Sequence, residues 1–139
     1  MTGRRRRRAH RFVVLTGLSG AGKSHAIRAL EDLGYFCVDN LPITLIPTLA
    51  DLVRREGIPR VAIVVDIREK SFLAEFPKVF RRLRRMADLG PALIFLEATT
   101  AALVRRFSET RRPHPLAPDR PVTEGIREER RRLKVIRQM

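Results

Sequence analysis

The feature that most constrains the fold is a glycine-rich octapeptide placed between two apolar patterns of different period. Residues 12–16 form a short β-branched and aromatic run typical of a buried strand. From residue 23 onward Ala26, Leu30 and Leu33 recur at helical spacing, and Gly34 follows as a stop signal. The octapeptide consists of Gly17, Leu18, Ser19, Gly20, Ala21, Gly22, Lys23 and Ser24. The pattern therefore predicts a strand, a tight loop and a helix in succession.

The alternation of strands and helices continues along the chain. Apolar runs at 35–38, 61–65 and 92–96 predict three more strands, and one intervening helix is expected to bury Phe76, Phe80, Leu83 and Ala87. Apolar runs without period-two alternation favour a parallel sheet covered on both faces. We therefore predict an α/β fold, a three-layer domain of the P-loop NTPase type with a mostly parallel, kinase-like sheet. Only four strands are recognisable, so the last strand of such a sheet is expected to be missing.

Length, charge and cysteine content narrow the class of protein. The 139 residues suffice for one domain, predicted over residues 11–139, and residues 1–10 are expected to be a disordered basic leader. The net charge of +14 indicates either solvated arginines or a polyanion partner. A single cysteine, Cys37, excludes a disulfide framework within the chain and is expected to be a buried thiol. No apolar run is long enough to span a membrane, which favours a cytoplasmic protein.

The octapeptide matches the phosphate-binding loop in full. Its glycines let the backbone wrap around phosphate oxygens and point N–H groups inward. Lys23 would place a positive charge on the β and γ phosphates, and the Ser24 hydroxyl would ligate Mg²⁺. The helix that follows directs its positive end at the same point. These residues predict a site for a nucleoside triphosphate and its magnesium ion.

Acidic residues follow three of the predicted strands, at the sheet edge where ligands bind in open α/β folds. Asp66 is the preferred candidate for holding water around Mg²⁺, since it follows the most apolar strand. Glu97 occupies an equivalent position after the fourth strand and is the alternative. Asp39 could contact a second substrate or could order a turn.

Two arginine pairs mark the region where small kinases carry a mobile lid. They are Arg105 with Arg106 and Arg111 with Arg112. A lid arginine can neutralise charge that develops during phosphoryl transfer. The same residues are equally consistent with a solvated basic helix end followed by a proline loop. His114 lies between two prolines and is expected to be a turn residue.

The sequence resembles the RapZ/YvcJ family of P-loop nucleotide-binding proteins. The likeness covers nearly the whole chain from residue 11 and is most specific in the run Cys-Val-Asp-Asn-Leu-Pro at residues 37–42, with further matches at 66–69, 95–98 and 105–116. It implies binding of ATP and GTP with weak hydrolysis. It also implies nucleotide contacts at the octapeptide and at a short segment made of Asp66, Ile67, Arg68 and Glu69. Glu69 departs from the asparagine or small polar residue that is usual there.

Family members are longer than this chain, and the resemblance implies that their C-terminal domain is absent from it. Enterobacterial members act as RNase adapters that present a small regulatory RNA, a role carried largely by that second domain. The leading hypothesis is therefore a nucleotide-binding regulatory domain with at most weak NTPase activity. The alternatives are a small-molecule kinase, with Asp39 orienting the acceptor, and a basic RNA-binding module tuned by nucleotide.

Overall fold

A computed structural model of the chain describes residues 11–66, 72–110 and 113–139. Strands and helices alternate in the order predicted from the sequence. The elements are β1 (Arg11–Gly17), α1 (Lys23–Asp32), β2 (Phe36–Asp39), a 3-10 turn (Ile43–Leu45), α2 (Ile46–Glu56), β3 (Arg60–Val64), α3 (Phe72–Arg85), β4 (Pro91–Leu96), α4 (Thr100–Thr110) and α5 (Val122–Arg137). The predicted basic leader at 1–10 lies outside the described residues.

The described strands form one parallel sheet in the order β2-β3-β1-β4. β1 is one of the two inner strands. The residues that follow it therefore lie near the middle of the carboxyl end of the sheet. The predicted α/β fold with a parallel sheet is confirmed. Within the described part of the chain, β4 forms one edge of the sheet and β2 the other.

The main hydrophobic core lies on one face of the sheet. Alternate residues of β1 and β3, among them Phe12, Val14 and Ile63, pack there against buried side chains of α2, α3 and α5. Helix α1 contributes no buried residue, although it contacts β1, β2 and β3. The helices therefore cover the two faces of the sheet unequally. Helix α1 covers its face only partly, and Ile94 of β4 remains 38% exposed.

Two expectations about helix faces are wrong. Leu33, expected on the packed face of α1, is 63% exposed, because α1 ends at Asp32 and Leu33 is its C-terminal cap. Ala87, expected on the buried face of α3, is exposed, because α3 ends at Arg85. The chain turns at Asp88, which has a φ of 64°, and Leu89 takes the buried position.

No helix within residues 11–66, 72–110 and 113–139 combines the length and the apolar character needed to cross a bilayer.

Candidate functional site

The glycine-rich loop at residues 17–24 joins β1 to α1 at the carboxyl end of the sheet. Gly17 has a φ of 146°, and a Cβ there would lie 2.2 Å from the Leu96 carbonyl oxygen of β4, so only glycine fits. The Leu18 N–H donates to that same oxygen at 3.1 Å. Gly22 has a φ of 102° and forms the N-terminal cap of α1. The backbone thus leaves the sheet, makes a tight turn and enters the helix within six residues.

Lys23 lies at the first position of α1, and its side chain folds back over the loop. Its Nζ donates to the carbonyl oxygens of Gly17 at 3.1 Å and Leu18 at 3.0 Å. Ser24 follows it and is exposed. The first N–H groups of a helix have no intrahelical acceptor and carry a partial positive charge. The loop therefore combines an ammonium group, a helix N-terminus and an accessible hydroxyl in one place.

The two carboxylates proposed for magnesium, those of Asp66 and Glu97, follow the two strands that flank β1. Leu15 of β1 pairs with Val64 of β3, and the Val65 N–H donates to the Leu15 oxygen at 3.0 Å. The half-buried Asp66 follows Val65 at this end of β3.

Glu97 also follows a strand next to β1, but its carboxylate is held by helix α5. The Nε of Arg137 lies 3.0 Å from Glu97 Oε1, and Nη1 of Arg130 lies 3.9 Å from the same oxygen. Glu97 is therefore paired with two arginines of α5. Asp39, the third strand-end acid, is exposed at the end of β2. Ile67, Arg68 and Glu69 lie outside the described residues.

Of the four arginines predicted as a possible lid, Arg105 and Arg106 lie within the described residues. Arg105 and Arg106 belong to α4, which continues through the expected link to Thr110. The Arg106 Nη1 donates to the Gly20 carbonyl oxygen of the loop, and both Arg105 and Arg106 are exposed. Arg111 and Arg112 lie outside the described residues. Of the first pair, therefore, Arg106 reaches the candidate site from a helix rather than from a loop.

A buried polar cluster beside the loop was missed by the sequence analysis. Glu129 of α5 has no exposed surface, and its carboxylate accepts two hydrogen bonds from Ser19: from the backbone N–H at 2.7 Å and from Oγ at 2.6 Å. His114 Nε2 lies 3.3 Å from Glu129 Oε1, while its Nδ1 accepts from the Leu116 N–H at 3.1 Å. Because Nδ1 accepts, the ring proton is on Nε2 and points to the carboxylate. His114 is therefore a buried turn residue, as expected.

One sequence signal could have revealed Glu129. Ile126, Leu133 and Ile136 mark the buried face of α5, and Glu129 falls on that face at helical spacing. An acid on an apolar stripe indicates a buried partner, since an unpaired buried carboxylate is costly. The pattern does not say which residue the partner is.

The sheet order, the loop between β1 and α1, and the lysine at the start of α1 define a P-loop α/β domain. Its fold is similar to the shikimate kinase of Acinetobacter baumannii solved with shikimate, with a TM-score of 0.58, 14% identity, and coverage of 94% of this chain and 80% of that one. It is also similar to a gluconokinase from Sinorhizobium meliloti, with a TM-score of 0.51, 21% identity, and coverage of 89% and 75%. At these identities the likeness concerns the fold.

The family follows from the sequence. Residues 10–139 match the RapZ-like N-terminal domain, and the chain belongs to that family, as the resemblance implied. A protein of Myxococcus xanthus described as a nucleotide-binding protein is 50% identical over 131 residues, which cover 94% of this chain and 45% of that protein. A relative of the same description in Solibacter usitatus is 54% identical over 129 residues, covering 92% and 40%. The chain thus spans less than half the length of these relatives.

Proposed function

We propose that this domain binds a nucleoside triphosphate, ATP or GTP, together with Mg²⁺, and serves as a regulatory module with at most slow hydrolysis. The observation that carries the proposal is the loop at residues 17–24, with its left-handed glycines, its lysine and the helix that starts from it. The description of the relatives as nucleotide-binding proteins supports it. We expect the activity in the cytoplasm, where both nucleotides occur.

The residues present fit a phosphate group. A Cβ added at Gly22 would meet nothing within 4 Å among the described residues, so the space beside this glycine is open. The N–H groups of the first turn of α1 would bind phosphate oxygens, and Lys23 would neutralise their charge. Ser24 would bind Mg²⁺, and Asp66 would hold water around it. Bound Mg²⁺ supplies charge neutralisation at the β and γ phosphates.

The contacts of the acids around the loop support slow hydrolysis. Glu97 is bound by the arginines of α5, and Glu129 by Ser19 and His114. With Asp66 assigned to the magnesium, none of these three carboxylates remains to take a proton from an attacking water. The sequence resemblance to RapZ/YvcJ proteins implies nucleotide contacts by Ile67, Arg68 and Glu69 as well. Those contacts belong to the same proposal.

RNA binding and an adapter role belong to the longer protein in this proposal. Helix α3 does present an exposed basic face, with Arg81, Arg82, Arg84 and Arg85 all exposed. Such a face suits either solvent or a polyanion. Titration of a small RNA at two salt concentrations would separate these cases, because phosphate contacts weaken steeply as salt rises.

Replacing Lys23 by alanine tests the nucleotide site directly. The backbone loop stays, but the positive charge is removed, so affinity for ATP or GTP with Mg²⁺ should fall about tenfold or more, on the order of 1.5–3 kcal/mol. Lys78→Ala is the matched control, since Lys78 is an exposed lysine on α3. Calorimetry on the three proteins measures the effect.

Two results of that calorimetry would contradict the assignment of the loop as the nucleotide site. One is an unchanged dissociation constant in Lys23→Ala. The other is an equal loss of affinity in Lys78→Ala, which would indicate a general effect of net charge.

A further inference from the structure

A single carboxylate connects the glycine-rich loop to the last helix of the domain. Glu129 accepts from both the N–H and the hydroxyl of Ser19, the third residue of the loop, at 2.7 and 2.6 Å. The two residues are 110 positions apart in the chain. Glu129 is fully buried, whereas Ser19 is half-buried. The loop is therefore held to α5 by two hydrogen bonds to one buried carboxylate.

The Glu129 carboxylate has a second partner, His114. His114 is fully buried and directs Nε2 at Glu129 Oε1 at 3.3 Å. The His114 ring also packs on Phe107 of α4, with ring centroids 5.2 Å apart. Phe107 in turn lines the space next to Gly20, at 3.5 Å from the position of a Cβ on that glycine. Helices α4 and α5 thus meet the loop through one continuous set of contacts.

We propose that Glu129 is a positioning residue: it sets the conformation of the loop through Ser19 and couples nucleotide binding there to the docking of helix α5. The proposal rests on the proposed function, since it concerns the regulation of the same site. If α5 moved away, Ser19 would lose two acceptors and a buried carboxylate would lose its donors at once. Coupling of this kind is reciprocal, so nucleotide binding should in turn hold α5 in place.

Two substitutions at Glu129 distinguish the loss of its hydrogen bonds from the loss of its negative charge. Glu129→Ala removes both acceptors, and affinity for ATP with Mg²⁺ should fall about tenfold or more. Glu129→Gln keeps the shape: its carbonyl can accept from the Ser19 N–H, and its amide can donate to Ser19 Oγ. That variant should recover affinity to within about threefold of the unsubstituted protein.

The matched control is the neighbouring acid on the same helix. Glu128 is partly exposed and pairs with Arg131 and Arg132, the latter at 2.9 Å. Glu128→Ala removes a carboxylate from the same turn of α5 without touching the loop. Its affinity for ATP should match that of the unsubstituted protein. A loss equal to that of Glu129→Ala would overturn the specific role of Glu129.

Hydrogen exchange measured without nucleotide tests the connection independently. In Glu129→Ala, peptides covering residues 17–24 and α5 should both exchange faster, whereas Glu129→Gln and Glu128→Ala should retain slow exchange in the loop. If Glu129→Ala does not fold, Ser19→Ala takes its place, since it removes only the hydroxyl bond. Faster exchange in α5 of Ser19→Ala supports the proposal, and unchanged exchange there overturns it.

The two measurements distinguish the possible failures. If the unsubstituted protein binds neither ATP nor GTP, the proposed function fails, while the exchange data still decide whether the loop and α5 are connected. If nucleotide binds but a folded Glu129→Ala keeps full affinity, the positioning role is refuted and the proposed function stands. If Glu129→Gln loses as much affinity as Glu129→Ala, the hydrogen bonds to Ser19 do not account for the effect, and the positioning role is likewise refuted.

Discussion

Replacing Gly125 by alanine should improve the helix propensity of α5 but should also create a steric clash with His114. Gly125 lies in the first turns of α5 and is buried. A Cβ at this position would lie 2.4 Å from Cγ and 2.5 Å from Cβ of His114, which is closer than real side chains approach. His114 has little room to move, because it is fully buried and its ring is hydrogen-bonded to Leu116 and Glu129. The substitution must therefore displace either the histidine or the helix.

The magnitudes predict which effect wins. Alanine is favoured over glycine within a helix by about 1 kcal/mol. Overpacking a filled core costs about 1–3 kcal/mol, and a hydrogen bond lost when His114 shifts costs about 1 kcal/mol more. We therefore expect Gly125→Ala to lower the free energy of unfolding by about 1–3 kcal/mol, despite the better helix propensity.

Urea unfolding followed by circular dichroism measures this difference. Val135→Ala serves as the control for helix propensity, since Val135 is 63% exposed on the same helix and should gain about 0.5 kcal/mol or less. The double variant His114→Ala with Gly125→Ala should be less destabilised than the two single changes combined, because the small side chain removes the clash. A Gly125→Ala protein more stable than the unsubstituted chain would refute the reasoning.

Three further predictions concern other parts of the molecule. Asp66→Asn should weaken the magnesium dependence of nucleotide binding more than the affinity measured without Mg²⁺, whereas Glu97→Gln should not. Calorimetry with and without Mg²⁺ measures both, and the reverse result would assign the metal to Glu97. Burial and the nearby charge of Glu31 raise the pKa of the Cys37 thiol, so at pH 7 it should react with a disulfide reagent more slowly than free cysteine, and an equal rate would contradict this. The chain should associate through its edge strand β4, and Ile94→Lys should reduce that association in sedimentation experiments; a monomer at all concentrations of the unsubstituted chain would argue against it.

The order of the fold could be predicted because its signals are local. The glycines and Lys23 of the loop stand next to each other in the chain, and each strand is a short apolar run. The errors at Leu33 and Ala87 lie at helix ends, where periodicity extends beyond the last helical residue. Asp66 and Glu97 were equivalent in the sequence, since both follow a strand. The contacts of Glu97 with Arg130 and Arg137 join residues far apart in the chain and could not be predicted from it.

Helix α5 shows why the rest could not be predicted. Its apolar stripe is sparse, with Ile126, Leu133 and Ile136 as its buried aliphatic side chains. What fixes it in place includes polar contacts with distant segments: Glu129 with the loop, and Arg130 with the Ala98 carbonyl oxygen at 2.7 Å.

A stripe of three residues specifies a face, but it leaves the partner and the register undetermined. Hydrogen bonds specify both, because they require particular atoms at particular distances. Since their donors and acceptors lie 32 to 110 residues away in the chain, they are settled by the packing of the sheet rather than by any local pattern. The element that sequence analysis defines least well thus supplies the buried carboxylate that binds the loop of the candidate nucleotide site.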